Sequence, residues 1–174
     1  IGRHMQELVA GYEAYVVGGC VRDAYMGLVP SDFDIATSAL PDEVLALFSG
    51  RKCLSVGKAF GTVIVPYKGG HAEVTTFREE GDYTDGRHPD TVRFSTVLEK
   101  DLARRDFTVN AMAWRPSGGL VDPYDGRGDL ARGILRTVGD PKKRLGENAL
   151  RILRGVRFAT RFRLAPDSAF LAAA

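Results

Sequence analysis

The segment AYVVGGCVRDAYM, residues 14–26, decides the fold. Its apolar start predicts a short strand over 14–17, and the residues after the Gly18-Gly19 pair predict a helix over 20–26. A glycine turn between a strand and a helix leaves backbone N–H groups open to an anion. Arg22 follows in the first helical turn, so we expect this segment to contact a phosphate group. An ordinary tight strand-to-helix connection is the alternative.

Two aspartates follow on the next predicted strand, residues 32–36. Asp32 and Asp34 are separated by one residue, so their side chains project from the same face of the strand. Carboxylates this close repel each other unless a cation neutralises them, and such oxygen ligands suit Mg²⁺. We expect Asp32 and Asp34 to bind metal, with Glu73 as a third catalytic carboxylate. A D-x-D pair alone is a weak signal, because a solvated strand end is the commoner explanation.

The stretch RRDFTVNA, residues 104–111, is a second candidate for nucleotide contacts. Arg105 has the forked guanidinium that grips phosphate with two hydrogen bonds. Asp106 and Asn110 are candidates for contacts with ribose hydroxyls. The alternative, that Arg105 and Asp106 form local ion pairs that cap a turn, remains open.

A long helix is predicted over residues 147–162. Successive residues advance by about 100°, so four arginines fall within a stripe of roughly 120°: Arg151, Arg154, Arg157 and Arg161. The opposite side carries Ile152, Leu153, Val156 and Ala159 and is expected to pack against the protein. The arginine side then faces an anion or simply water. Glu147 lies one turn before Arg151 and is expected to fix its rotamer.

The remaining pattern predicts an α+β fold in which a small mixed sheet is backed by helices. A helix is expected to begin at Pro41, another covers 129–132, and strands are predicted at 62–67, 71–77, 91–94, 110–115 and 119–121. The charged stretch 78–90 is predicted to be a mobile loop. From Pro141 the composition becomes helical and basic. We therefore predict a catalytic head over residues 6–140 and the start of a helical neck over 141–174.

Composition excludes several classes of protein. Hydrophobic residues make up 44% and charged residues 26% of the 174, as in ordinary globular domains. There is no apolar run of the roughly 20 residues that a membrane helix needs, and no signal peptide pattern. Two distant cysteines, Cys20 and Cys53, predict neither a disulfide nor a thiolate zinc site, which fits the cytoplasm.

The two ends of the chain also carry predictions. Residues 1–5 read as a cloning remnant. The last residues, 171–174, have helix-forming composition without a stop signal, which predicts a boundary inside a longer protein. The oligomeric state is not indicated by the sequence.

Taken in order, these motifs resemble those of class II tRNA nucleotidyltransferases and the related bacterial poly(A) polymerases. The matching stretches are 18–23, 32–34, 57–62, 73–78, 104–111 and 147–151, with Arg154 and Arg157. The resemblance implies a polymerase-β-like head with Asp32 and Asp34 as metal ligands. It implies nucleotide contacts from Gly18, Gly19, Arg22, Arg105, Asp106, Asn110, Asn148, Arg151, Arg154 and Arg157.

The function implied by this resemblance is Mg²⁺-dependent addition of C and A, from CTP and ATP, to the 3′ end of tRNA without a nucleic-acid template. The loop over 78–90 resembles the one associated with addition of the terminal A and disfavours a CC-only enzyme. Poly(A) synthesis and A-only addition stay open. A binding module without catalysis is disfavoured by the intact aspartate pair and Arg105, and a small-molecule transferase is disfavoured by the arginine-rich neck.

One residue departs from the family pattern Glu-Asp-x-x-Arg. The second position is Asn148 in place of aspartate. In the family, the Asp and the Arg of this motif imitate a Watson–Crick edge toward C or A. An amide oxygen still accepts a hydrogen bond, but the NH₂ group of Asn also donates one. We therefore expect weaker discrimination against U and G.

Overall fold

The structure is a computed structural model that describes residues 11–55, 57–68, 70–84, 86 and 89–174. The strands are β1 (Ala14–Val17), β2 (Phe33–Thr37), β3 (Thr62–Tyr67), β4 (Gly70–Thr76), β5 (Arg78–Glu80), β6 (Val92–Phe94), β7 (Ala113–Arg115), β8 (Gly119–Val121), β9 (Ile134–Leu135) and β10 (Ala165–Pro166). The α-helices are α1 (Gly19–Tyr25), α2 (Pro41–Leu47), α3 (Leu98–Ala103), α4 (Gly126–Arg132), α5 (Pro141–Glu147), α6 (Leu150–Phe162) and α7 (Ser168–Ala173). The predicted cloning remnant lies outside the described residues.

The main sheet has six strands in the order β3-β4-β2-β1-β7-β8. Strands β2 and β4 run parallel, with Asp34 opposite Glu73, whereas the other neighbours are antiparallel. Helices α1 and α2 contact this sheet. The predicted α+β fold with a mixed sheet backed by helices is therefore confirmed.

Strand alternation separates the core from the site. On β4, Ala72 and Val74 are buried in a cluster with Ile35, Val63 and Phe48. Because successive side chains of a strand point to opposite faces, Glu73 is directed away from that cluster. The apolar face thus fixes the register that leaves the carboxylates on the other side of the sheet.

The region between β4 and β7 differs from its prediction. The stretch 78–90 was predicted to be entirely loop, but it begins with β5, which pairs antiparallel with β6. Helix α3 was not predicted at all. The predicted strand over 110–115 begins only at Ala113, because Thr108–Asn110 forms a 3₁₀ helix whose first N–H donates to Arg136. These differences come from pairings between distant segments, which local patterns do not encode.

The helix predicted over 147–162 is α6, which begins three residues later at Leu150, because a break at Asn148 separates it from α5. Asn148 has extended backbone angles, φ −153° and ψ 107°. Its side-chain oxygen accepts the N–H of Leu150 at 2.9 Å. Asparagine competes with the helix in this way because its side chain bonds nearby backbone groups. The break sets the direction of α6 relative to α5.

The apolar side predicted for α6 is correct only in part: Ile152 and Ala159 are half-buried against the second hydrophobic cluster, whereas Leu153 and Val156 are exposed. Leu153 and Val156 are 66% and 58% exposed. The helix instead buries Arg151, Gly155, Phe158 and Phe162. The two phenylalanines pack with Phe107 and Phe170, and the Phe107 and Phe158 rings meet edge to face at 5.7 Å. Burial of large aromatic rings outweighs the aliphatic periodicity that suggested the other side.

Residues on both sides of the predicted head–neck boundary share this second core. Phe107 and Leu135 pack in the same cluster as Leu145 and Phe158. Strands β9 and β10 add a short parallel pair across the same junction. The boundary near Asp140 stays a prediction. Within the described part of the chain, every helix is too short or too polar to span a membrane.

Candidate active site

One cleft of about 790 Å³ opens beside the sheet and brings the predicted site residues together. Its lining includes Gly18, Gly19, Arg22, Asp32, Asp34, Glu73, Arg105, Asp106, Asn110, Asn148, Arg151, Arg154 and Arg157. We call Asp32, Asp34 and Glu73 the carboxylate wall, and we call Arg22, Arg105, Arg151, Arg154 and Arg157 the arginine wall. Members of the two walls alternate along the chain, since Arg22 precedes Asp32 and Arg105 follows Glu73.

The carboxylate wall lies on two neighbouring parallel strands. Asp34 on β2 is in register with Glu73 on β4, and Asp32 lies one residue before β2 rather than within it. Burial raises the pKa of Asp34, the negative charges of Glu73 and Asp32 raise it further, and Arg105 opposes the rise. The charged form of Asp34 is therefore unfavourable without a nearby cation.

The donor set of this wall fits Mg²⁺ in part. Among the described residues, no three His, Cys, Asp or Glu side chains are grouped so that they could hold a metal ion together. A pair of carboxylates is nevertheless a normal protein contribution to a Mg²⁺ site, because this ion keeps several waters and binds substrate phosphates. Asp32 and Asp34 fit that pattern, whereas the contribution of Glu73 stays a prediction.

The glycine turn lies directly against the carboxylate wall. Gly18 has φ 72° and ψ −132°, a backbone conformation that residues with a side chain rarely adopt. A Cβ atom on Gly18 would lie 2.8 Å from Nη1 of Arg105 and 3.8 Å from Oδ2 of Asp34. Glycine is thus required both by the backbone angle and by the close approach of a cation and an anion.

Arg22 is fixed inside the cleft by several partners. Its Nη1 donates to Oδ1 of Asn110 at 2.5 Å, and its Nη2 pairs with Oδ1 of Asp23 at 2.6 Å. The guanidinium also lies over the Phe162 ring, 4.2 Å from the centroid. The arginine is buried, so these contacts hold it in one orientation before any ligand binds.

In the stretch 104–111, Arg105 forms a local ion pair and Asp106 a distant one. Arg105 pairs with Asp101 at 3.0 Å, and Asp106 pairs with Arg154 at 2.7 Å. The alternative of local ion pairs is therefore correct for Arg105, whose partner is four residues away, and wrong for Asp106, whose partner is 48 residues away. Asp106 also accepts from the Nδ2 of Asn110 at 3.1 Å, which links both candidates for ribose contacts to the arginine wall.

Asp101 was not predicted as a site residue, although it anchors the arginine wall. Burial alone would raise the pKa of Asp101, but the adjacent Arg105 and Arg104 outweigh burial and hold it below its ordinary value. The carboxylate is almost completely buried and ionised. Its position four residues before Arg105 was the available signal, because helical neighbours at that spacing meet.

Arg151 is held as predicted by Glu147. Its Nη1 lies 2.5 Å from Oε2 of Glu147 and 2.7 Å from the carbonyl oxygen of Arg144. Arg157, in contrast, is exposed and forms no ion pair with any described residue. Arg161, the last arginine of the predicted stripe, does not line the cleft and instead lies over the Phe162 ring.

The mouth of the cleft contains a further network that sequence reasoning missed. Glu80 accepts from Arg104 at 2.8 Å, from Arg78 at 2.9 Å and from the Tyr83 hydroxyl. Burial opposes ionisation of Glu80, yet these partners lower its pKa. Burial and the bond to Glu80 raise the pKa of Tyr83 to about 12. The charge of residues 78–80 is the sequence signal for this network, but a charged stretch also predicts an exposed loop.

A six-stranded mixed sheet that carries paired aspartates next to an arginine-lined cleft defines a nucleotidyltransferase head domain. Residues 14–136 match the poly(A) polymerase head domain family, and the chain belongs to that family. This finding confirms the resemblance that the sequence motifs suggested.

Curated relatives are named as CCA-adding enzymes. The chain is 52% identical over 160 residues to the CCA-adding enzyme of Geobacillus stearothermophilus, which covers 91% of this chain and 39% of that enzyme. It is 48% identical over 161 residues to the CCA-adding enzyme of Bacillus subtilis (strain 168), a match that covers 91% of this chain and 40% of that enzyme. The chain thus spans about two fifths of the length of the curated relatives it matches.

Solved structures match in the same way. The Bacillus stearothermophilus CCA-adding enzyme in complex with CTP superposes with a TM-score of 0.87 at 45% identity, over 97% of this chain and 40% of that one. A tRNA nucleotidyltransferase complexed with a primer tRNA and an incoming ATP analog superposes with a TM-score of 0.75 at 29% identity. This match covers 99% of this chain and 48% of that one. Both cover nearly the whole chain.

Proposed function

We propose that the protein to which this chain belongs adds C and A to the 3′ end of tRNA, using CTP and ATP, without a nucleic-acid template. The observation that carries the proposal is the meeting of Asp34, the glycine turn and Arg105 in one cleft. The names of the relatives favour CCA addition over poly(A) synthesis within the family. The cytoplasm is the location that we propose.

The proposed reaction is in-line phosphoryl transfer. The oxygen of an RNA 3′-hydroxyl bonds to the α-phosphorus of the bound nucleotide, the bond to the bridging oxygen breaks, and pyrophosphate and a proton leave. Mg²⁺ held by Asp32 and Asp34 would lower the proton affinity of the hydroxyl and neutralise developing charge. Glu73 orients the attacking group from the neighbouring strand.

The arginine wall positions the nucleotide in this proposal. Arg22 and Arg105 neutralise the triphosphate beside the glycine turn. Both are already fixed, by Asn110 and by Asp101 respectively, so little reorganisation is needed when charge develops. Asp106 and Asn110 contact the ribose, and Arg154 and Arg157 extend the basic surface along α6.

The base is selected by Asn148 and Arg151 in this proposal. Arg151 is held in place by Glu147, and the side-chain oxygen of Asn148 accepts the N–H of Leu150. An aspartate would offer acceptors alone, whereas the amide also carries a donor. Selection against U and G is therefore weaker than with an aspartate at this position.

A direct test incubates tRNA that lacks CCA with each labelled nucleotide. CTP and then ATP should be incorporated, and Asp32→Ala should abolish transfer while the far-ultraviolet circular dichroism spectrum stays unchanged. Turnover that survives in Asp32→Ala would remove the aspartate pair from the chemistry. Incorporation of ATP alone into tRNA without CC would favour poly(A) synthesis.

The role of Asn148 has its own comparison. Asn148→Asp should increase the preference for CTP and ATP over UTP and GTP, whereas the rate with CTP should change less. Identical selectivity in the two proteins would show that this position does not read the base.

A further inference from the structure

Two exposed phenylalanine rings lie on either side of one glycine near the mouth of the cleft. Phe60 and Phe94 are 53% and 43% exposed. A Cβ atom on Gly61 would lie 2.8 Å from the Phe94 ring, so that ring rests on the Gly61 backbone, and Phe60 is the preceding residue. Single exposed apolar side chains are ordinary, but two that share one glycine form a local surface.

Arg78 connects this surface to the cleft. It lines the cleft, its Nη1 donates to the carbonyl oxygen of Phe60, and its Cα is paired with that of Phe94 between β5 and β6. Thr62, two residues after Phe60, also lines the cleft. Both phenylalanines therefore lie next to residues of the cleft wall, although they are outside the cleft itself.

The order of strands fixes the side of the site on which these rings lie. The glycine turn follows β1, Asp34 is on β2, Glu73 is on β4, and Phe60 directly precedes β3 with Gly61. Adjacent strands are about 4.8 Å apart, so the rings lie roughly 10 Å beyond the aspartate strand, away from the glycine turn. In an in-line displacement the attacking and leaving oxygens approach from opposite sides. If pyrophosphate leaves toward the glycine turn, the acceptor strand enters from the side of Phe60 and Phe94.

The chemistry of the surface suits single-stranded RNA. Arg93 is exposed but lies on the opposite face of β6 from Phe94, because successive strand residues alternate, so the cation on the side of the ring is Arg78, which is in register with Phe94. Exposed aromatic rings flanked by cations bind unpaired bases by stacking, with little preference for sequence.

From these observations we propose that Phe60 and Phe94 form a stacking surface for the last unpaired bases of the RNA acceptor. This inference rests on the proposed function for the direction from which RNA approaches. Phe60 and Phe94 place the terminal nucleotides so that the 3′-hydroxyl reaches the carboxylate wall.

The test measures RNA binding without turnover. A fluorescein-labelled RNA hairpin with an unpaired 3′ end terminating in CC is titrated with the 174-residue chain at low salt, and fluorescence anisotropy reports the dissociation constant. Phe60→Leu and Phe94→Leu should each weaken binding by about 5- to 150-fold, the range for loss of one base stack. Phe60→Tyr keeps a ring and should bind like the unmodified chain.

Two controls separate this proposal from the function on which it rests. Trp114→Leu removes another exposed aromatic ring, 40% exposed, on the far side of the sheet, and should leave RNA affinity unchanged. CTP affinity, measured by equilibrium dialysis, should be the same in both leucine variants. If the unmodified chain does not bind CTP, the proposed function is contradicted. If the RNA affinity is unchanged in both leucine variants, the stacking surface is overturned.

Discussion

The two walls of the cleft differ in how their charges are balanced. On the carboxylate wall, Asp34 is buried beside Glu73 and Asp32, and its pKa is raised by burial and by those charges. On the arginine wall, most guanidinium groups are already bound to a carboxylate, as in the pairs Arg105–Asp101 and Arg151–Glu147. One wall thus carries an unfavourable charge in the folded state, and the other is held in position by the protein.

This difference separates two ways of preparing a site. Like charges held together favour a cation, because a bound cation relieves their repulsion. Paired arginines keep their orientation and stay partly neutralised, so they provide fixed dipoles and charges for a bound anion. Substitutions on the two walls should therefore have opposite effects on stability.

The largest expected effect is on the carboxylate wall. Asp34→Asn should reduce transfer by about 10³-fold or more, because metal charge stabilisation is worth several kcal/mol. The same change should raise the melting temperature measured without divalent cations, by about 2 to 4 °C for each 1 kcal/mol of repulsion removed. A raised pKa in the fold means that the ionised carboxylate destabilises it, so a neutral amide removes that penalty.

A surface substitution provides the control for this pair of opposite effects. Asp42 is exposed and pairs with Lys58 at the surface. Asp42→Asn should change neither transfer nor melting temperature appreciably. A lower melting temperature in Asp34→Asn would show that the charge is stabilising, which would contradict the comparison.

The next effect concerns the packing that supports the arginine wall. In Gly155→Ala, the added Cβ would lie 2.5 Å from the Phe170 ring and 3.2 Å from the Phe107 ring. Such overpacking costs about 1 to 3 kcal/mol, or roughly 2 to 12 °C in melting temperature. The adjacent Val156→Ser is the matched control, since an exposed position should change stability by less than about 0.5 kcal/mol. Equal losses in both variants would contradict the packing of α6.

A smaller effect is expected where Glu147 holds Arg151. Glu147→Gln keeps a hydrogen-bond acceptor but removes the charge, a difference of about 1 kcal/mol. The preference for CTP over UTP should fall by roughly three- to tenfold, with a smaller change in the rate with CTP. The control is Glu79→Gln, which alters an exposed pair with Lys100. Selectivity that falls equally in the control would exclude a specific role for Glu147.

The smallest effect is the acid sensitivity of the Asp101 anchor. In the folded protein the pKa of Asp101 is below its ordinary value. The ionised carboxylate therefore stabilises the fold fully at a pH well above the ordinary pKa, and this stabilisation is lost as the pH falls from the ordinary pKa through the lower pKa of the folded protein. Between pH 6 and pH 4 the loss should be less than about 1 kcal/mol. Urea unfolding at several pH values should give a shallower acid slope for Asp101→Asn, and an unchanged slope would contradict the assignment.

The two regions were also unequally predictable from the sequence. Asp34 and Glu73 lie in the cleft as expected because strand alternation is a local property that the apolar core enforces, whereas Asp32 lies just before β2 and not within it as predicted. The buried side of α6 was predicted only in part, because Phe158 and Phe162 pack against rings from distant segments and leave Leu153 and Val156 exposed. The break at Asn148 was also missed, since its side chain replaces a helical turn with a local hydrogen bond.

The sequence therefore predicts which side chains line the cleft better than it predicts the ion-pair partner of each side chain. The spacing of Arg151, Arg154 and Arg157 placed them on one surface, and all three line the cleft. Arg151 pairs with Glu147 and Arg154 pairs with Asp106. Of these two partners, only Glu147 was predicted from helical spacing. The pair between Asp106 and Arg154 joins residues 48 apart, beyond the reach of local patterns.

The most direct test of the carboxylate wall is a crystal structure with Mn²⁺ and a CTP analogue that cannot be cleaved between its α- and β-phosphates. Anomalous scattering locates the metal independently of any activity. We expect a Mn²⁺ peak within coordination distance of both Asp32 and Asp34, with the triphosphate directed toward the glycine turn and Arg105. A metal peak away from these aspartates, or a triphosphate directed away from Gly18, would contradict the account.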